Sequence, residues 1–312
     1  HIYFLGMPFL MIYNFGAAVL RSKGDTKRPL YCLIISGVIN ACLNLLFVIV
    51  FKLSVAGVAI ATVIADGVSA VLIICFLMNE EETIRLRLNK LKIKKSELIQ
   101  VIKIGVPAGL QGVVLPVSNV RIQTAINSFG SDVIAGYSAA IKLNTFAITS
   151  FSTLGNAMSS YTAQNTGARK LLRIPEGLKA GIVMLIVVSL PFFIAYFVFP
   201  NTMMNIFVKS SETGIIDVGR IFLKIVTPFY FVISAKLTFD GILRGAGRLR
   251  AFLARTFPAL LLRVILAYVF SYALNSEVGI WLSWPVGWTI AAVISAVFYF
   301  IYYKTTIKNG AN

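Results

Sequence analysis

Apolar runs too long for the interior of a water-soluble domain dominate this chain. Nine of them, at about residues 1–20, 29–51, 55–78, 100–128, 132–163, 177–200, 215–242, 251–274 and 278–303, match or exceed the roughly 20 residues of helix that cross a hydrocarbon layer about 30 Å thick. Inside such a layer no water satisfies backbone N–H and C=O groups, so continuous helix is the spanning structure that fits these runs. They predict an all-α integral membrane protein. Only 13% of the 312 residues are charged, against roughly 25% in a soluble domain, which agrees.

The formal net charge of +17 would suit a nucleic-acid binder, but the placement of the cations argues for a different meaning. Blocks at Arg21 to Arg28, Arg85 to Lys103, Arg169 to Lys179, Arg244 to Arg255 and Lys304 to Lys308 hold 21 of the 29 Lys and Arg residues, and two runs separate each block from the next. The intervening loops, around Lys52, Asn127 to Asp132, Lys209 to Asp217 and Asn275 to Glu277, hold two. Clustered cations mark the cytoplasmic side, so the pattern predicts nine spans, a cytoplasmic C-terminus and residue 1 outside. Within the runs, Lys236 and Asp240 lie one helical turn apart and are expected to neutralise each other near the cytoplasmic end. Cys32, Cys42 and Cys75 have no paired spacing and read as small apolar residues.

Residues 80–100 open acidic and become basic, with Ile84, Leu86, Leu88, Leu91 and Ile93 interleaved. This segment reads either as an amphipathic stretch on the cytoplasmic membrane surface joining two bundles, or as a solvated linker. The expected organisation is a partial N-terminal lobe at 1–78, a linker at 79–99 and a second lobe at 100–312.

The chain also repeats itself. The turn-rich hinge Leu20-Arg21-Ser22-Lys23-Gly24-Asp25 has a counterpart at Leu243-Arg244-Gly245-Ala246-Gly247-Arg248, an offset of 223 residues. The superposition lays runs one to three over runs seven to nine, with Met7-Pro8-Phe9 near Thr227-Pro228-Phe229 and Gly57 close to Gly279. If three helices end each half, each half should hold six, and about three are expected ahead of His1. Two six-helix halves in parallel orientation are a transporter pattern.

Four motifs then carry a family resemblance. They are the Leu-Arg-x-x-Gly-Asp-Thr-x-x-Pro hinge, the run Val55-Ala56-Gly57-Val58-Ala59-Ile60-Ala61-Thr62, the opening Ile104-Gly105-Val106-Pro107-Ala108, and Gln164-Asn165-Thr166-Gly167-Ala168. In this order and spacing the chain resembles the MATE (multidrug and toxic compound extrusion) antiporters, from the family's fourth helix to its twelfth. The resemblance implies a two-lobe helical bundle with a pseudo-two-fold repeat.

The candidate site residues are polar groups inside spans, because an ionised Asp at a helix centre costs about 2.5–3.5 kcal/mol on insertion scales. Ser36, Asn40 and Asn44 share one face of the second run, and Thr62, Asp66 and Ser69 share one face of the third. Asp66 is the one acid placed near the middle of a run. Many bacterial family members carry Asn-x-x-x-Asp on the fifth helix and Thr on the sixth, in a cation-responsive cavity. Asn40 and Thr62 match that pattern; Asn44 stands where the acid usually is and does not titrate. Asp66, one turn past Thr62, is the expected replacement, alternating between protonated and ionised or Na⁺-bound forms. The competing reading makes Asp66 a packing partner for an interhelical donor.

The expected substrate contacts are Gln111 and Asn119 on the fourth run and Trp284 and Trp288 on the ninth, where the repeat lays the two Trp over Thr62 and Asp66. Indole faces suit flat organic cations, although a Trp near a helix end is often an interface anchor. Pro107 and Pro116 predict kinks in the fourth run, and Arg263 resembles a structural Arg of the family's eleventh helix.

These residues and the resemblance imply a secondary antiporter, a monomer in a bacterial-type plasma (inner) membrane, that exports drugs or toxic organic, often cationic, compounds in exchange for H⁺ or Na⁺. No cofactor beyond the coupling ion and no nucleic-acid partner are expected. A lipid-linked oligosaccharide flippase of the same superfamily is the alternative; it would carry a more cationic cavity and further helices, whereas this sequence stops ten residues after Tyr302. An enzyme is excluded, because one His and no clustered midplane acids supply neither a nucleophile with its base nor a metal cluster.

Overall fold

A computed structural model describes residues 1–81, 84–92, 94–247, 262 and 264–308; side chains at 90, 100, 103, 104, 107, 108, 110–119 and 121 are outside the description. The described residues form helices joined by turns, with no strand. They divide into two compact units, His1–Lys94 and Lys95–Asn312.

In the first unit, α1 (Ile2–Ser22) and α2 (Lys27–Leu45, continued by a π-helical turn at Leu46–Val50) both pack on α3 (Ser54–Met78). Small residues permit this. Gly16 lies so close to Ile73 that an added Cβ would sit 2.8 Å from its side chain, and Ala61, Ala65 and Ala70 are buried along α3. At the α1–α2 turn Gly24 takes a φ of +95°, a left-handed conformation that a Cβ disfavours. Asp25 then accepts from the backbone N–H groups of Lys27 (3.0 Å) and Arg28 (3.2 Å), two donors that the start of α2 leaves without helical partners. The core of this unit holds Tyr13, Ala17, Leu20, Cys32, Ile73 and Leu77.

The cations of the hinge meet a partner 57 positions away in sequence. Lys23 Nζ donates to Glu80 at 3.0 Å, Arg28 also pairs with Glu80, and Lys23 reaches Glu81 at 3.1 Å. Only 4% of the Glu80 side chain is exposed, so the pair ties the α1–α2 turn to the end of α3. The Lys23 ammonium beside Glu80 holds its carboxyl below the usual range.

The second unit is built on α5 (Ser131–Gly167), against which α6 (Arg173–Phe193, extended by a π-helical turn at Ile194–Val198), α8 (Thr213–Val226) and α9 (Tyr230–Gly245) pack. Around them lie α4 (Lys95–Ile126), the short α7 (Pro200–Met204), α10 (Val264–Leu274) and α11 (Glu277–Tyr302), the last starting where Ser276 Oγ accepts from the Val278 N–H at 3.2 Å. The seventh apolar run differs from the expected single span. It is broken into α8 and α9 by a 3₁₀ turn at Thr227–Phe229, because Pro228 has no N–H to continue the helix and its ring crowds the preceding turn.

Among the described residues, five helical segments are long and apolar enough to cross a membrane: Ile2–Ser22, Lys27–Val50, Ser54–Met78, Arg173–Val198 and Glu277–Lys308. Their outward residues are large and apolar, including Phe4 at 73% exposure, Leu30, Ile34, Val183 and Val187. In water such a surface would be a large aggregation liability; in a bilayer it is the solvent-facing side. The protein is an all-α, multi-pass membrane protein.

Candidate functional site

Four-residue spacing on α2 and α3 turns into contact where the two helices pack. Asn44 Nδ2 donates to Asn40 Oδ1 at 2.8 Å, and Asn40 Nδ2 donates to Thr62 Oγ1 at 3.4 Å. Thr62 in turn donates to the Val58 carbonyl at 2.9 Å. A chain of polar groups thus crosses from α2 to α3, half-buried among apolar neighbours. It is incomplete at one end: Asn44 Oδ1 is buried and finds no hydrogen-bond donor among the described residues. Such an orphaned acceptor is a cost that a bound water or cation would remove.

Asp66 lies one turn beyond Thr62 on the same helix and is half-buried. Its Oδ2 faces α1 at Gly6, where an added Cβ would stand 3.4 Å from it. No donor among the described residues engages the carboxylate; the one hydrogen bond at this position goes from Ser69 Oγ to the Asp66 backbone carbonyl, at 2.8 Å. Asp66 is therefore set apart from the Lys23–Glu80–Arg28 cluster, in which each acid is matched by a cation. An acceptor-only group without a fixed partner suits the transient binding of a proton or a small cation.

The second unit places its sequence-derived candidates differently. Trp284 and Trp288 are 6% and 7% exposed and form part of a packed aromatic core. Their rings meet edge to face with centroids 5.6 Å apart, Phe222 meets Trp284 at 6.0 Å, and Tyr230 lies against Trp288 at 6.4 Å. Edge-to-face packing of this kind uses the indole faces for the core itself. Tyr230, fully buried, donates to Asn144 Oδ1 at 3.2 Å, a bond joining α9 to α5 that local spacing does not reveal. Gln111 and Asn119 fall on α4, where their side chains lie outside the described residues, as does Arg263.

Lys236 and Asp240 form the expected pair, with Nζ 2.6 Å from Oδ2. Ser295 of α11 supplies the other half of the site, donating to Asp240 Oδ1 at 2.7 Å. With both carboxylate oxygens engaged and 5% of the residue exposed, Asp240 is a satisfied buried acid, unlike Asp66.

Comparison with known proteins agrees with this architecture. A family model described as MatE matches residues 107–269, and one described as Lipid II flippase MurJ matches residues 1–123. The chain is 28% identical over 282 residues to the probable multidrug resistance protein YpnP of Bacillus subtilis (strain 168), covering 90% of this chain and 61% of that protein. It is 26% identical to the probable multidrug resistance protein YoeA of the same strain, covering 98% and 68%. The chain thus spans about three-fifths of the length of YpnP. Its fold matches a crystal structure of MATE in the bent conformation with a TM-score of 0.88 at 19% identity, over 100% of this chain and 69% of that one. With just over half its residues matched by one family model and the same fold throughout, the chain belongs to the MatE (MATE) family.

Proposed function

We propose that the protein containing this chain is a secondary antiporter that expels drugs or toxic organic, often cationic, compounds across the plasma membrane in exchange for H⁺ or Na⁺, acting as a monomer. The observation that carries this reading is the Asp66 carboxylate, unpaired among the described residues and one turn from the Asn40–Asn44–Thr62 network. An acid with no resident cation changes its charge when a proton or Na⁺ arrives, and that change is what a gradient drives. Asn40 and Thr62 fix the polar edge of the site beside Asp66, and Asn44 closes the far end of that network. The Lys236–Asp240 pair already holds its own counter-charge and is assigned a structural role.

The curated relatives are named for multidrug resistance, which supports export of small organic molecules here. The flippase reading draws on the MurJ match, which takes in residues 1–123 only and leaves most of the second unit outside it. Export therefore stands ahead.

The test is movement of a fluorescent organic cation into vesicles containing the full-length protein under an imposed H⁺ or Na⁺ gradient. Gradient-dependent movement is expected with one of the two ions, and Asp66→Asn should reduce it by about tenfold or more, as removal of an essential charge does. Absence of any gradient dependence, or wild-type export by Asp66→Asn, sinks the proposal.

A further inference from the structure

The segment between α3 and α4 changes character halfway along, from acidic to basic. Of the three acids at its start, Glu80 and Glu81 are engaged by the hinge cations Lys23 and Arg28, and Glu82 lies outside the described residues. From residue 84 to residue 96 the sequence holds six cations, Arg85, Arg87, Lys90, Lys92, Lys94 and Lys95, and no acid. The segment is also held close to the end of α3. The Leu86 N–H donates to the Leu77 carbonyl at 3.0 Å, Arg85 Nε donates to the Met78 carbonyl at 2.9 Å, and Ile84 and Leu86 pack on the Leu20–Ile73–Leu77 core. Past this anchor, among the described residues, Leu88 is 53% and Leu91 65% exposed, beside exposed Lys92, Lys94 and Lys95.

We propose that Arg85, Lys92, Lys94 and Lys95 form a binding surface for the anionic phospholipid headgroups of the surrounding leaflet, with Leu88 and Leu91 dipping into the acyl boundary. Charge complementarity selects the occupant. A segment fixed to the end of a membrane-length helix lies at headgroup depth, where phosphate and glycerol meet hydrocarbon. Lysines with leucines among them match both layers of that boundary. A nucleic-acid surface would match the cations and leave both leucines in water.

The experiment reports on Leu91 directly. With the exposed Cys42 and Cys75 replaced by Ser, Leu91→Cys carries a bimane label in the otherwise intact chain, in nanodiscs of phosphatidylcholine alone or mixed with phosphatidylglycerol. With the anionic lipid, emission should shift to the blue and quenching by acrylamide should fall at least about threefold, as burial among headgroups implies. Salt at about 0.5 M should reverse both changes by screening. Lys92→Gln/Lys94→Gln/Lys95→Gln should abolish the response with helical circular dichroism unchanged, and a label at Ser211→Cys should not respond to lipid. Equal emission and quenching in the two lipids, or a response that survives the triple substitution, overturns the proposal.

Discussion

Asp66 and Glu80 lie on one short stretch of chain and meet opposite fates, which shows how much a single partner decides. Asp66 faces a glycine of α1 and keeps its charge uncommitted among the described residues; Glu80 is closed in by Lys23 and Arg28. A carboxylate held below its ordinary value of 4.5 stabilises the fold fully above that pH, and the contribution disappears as pH falls through the lowered value. Thermal unfolding in detergent should therefore show a loss of stability below about pH 4.5 that Glu80→Gln largely lacks, the variant starting from a lower melting temperature at neutral pH. Identical pH profiles for the two proteins would remove the cluster from the account. The four-residue spacing of Asn40, Asn44, Thr62 and Asp66 was legible in sequence, because a helical period alone puts such residues on one face. Which faces meet was not. That depends on packing of α2 against α3, and the same ignorance of facing hid Glu80 as the partner of the hinge.

Between elements, glycine placement does much of what large side chains do in soluble cores. Across the α5–α9 crossing, a Cβ on Gly241 would meet the Gly155 carbonyl, and one on Gly245 the Ser159 carbonyl. Both helices of the pair thus approach backbone to backbone, the device that packs helices where lipid removes the hydrophobic drive between them. Gly37 on α2 has open space around it, with nothing within 4 Å of where a Cβ would stand, so it is the internal control. Gly241→Ala should destabilise by about 1–3 kcal/mol through overpacking. Gly37→Ala should be neutral or stabilise by up to about 1 kcal/mol, since alanine is the better helix former. Melting curves followed by circular dichroism separate the two; a Gly241→Ala protein that melts at or above wild type would show that the crossing relaxes freely. At this scale the long runs were readable from length and hydropathy. The break at Pro228 was harder to place, because the apolar pattern continues straight through it while the backbone donor does not.

At the scale of the whole chain, the repeat inferred from the two hinges has a structural counterpart in a shared glycine contact. Gly57 at the start of α3 sits against Phe47 at the end of α2, where a Cβ would stand 2.9 Å from the phenylalanine Cβ, and Gly279 at the start of α11 sits against the backbone of Phe270 in α10. The pairings agree as well: α1 lies along α3, and α9 lies along α11. A parallel repeat would carry both hinges on one side of the membrane, the arrangement that the charge pattern, 21 cations in blocks against two in the other loops, predicts. Sidedness is open to direct measurement with a membrane-impermeant maleimide on intact cells expressing the full-length protein. With Cys42 and Cys75 replaced by Ser, and Cys32 protected by burial, a cysteine at exposed Ser211 between α7 and α8 should label from outside. A cysteine at exposed Lys170, in the cationic turn between α5 and α6, should label only after permeabilisation. Labelling of Lys170→Cys alone in intact cells would invert the assignment. Equal labelling of both would mean that α6, the helix between them, does not cross the bilayer, and the parallel two-lobe reading would fall with it.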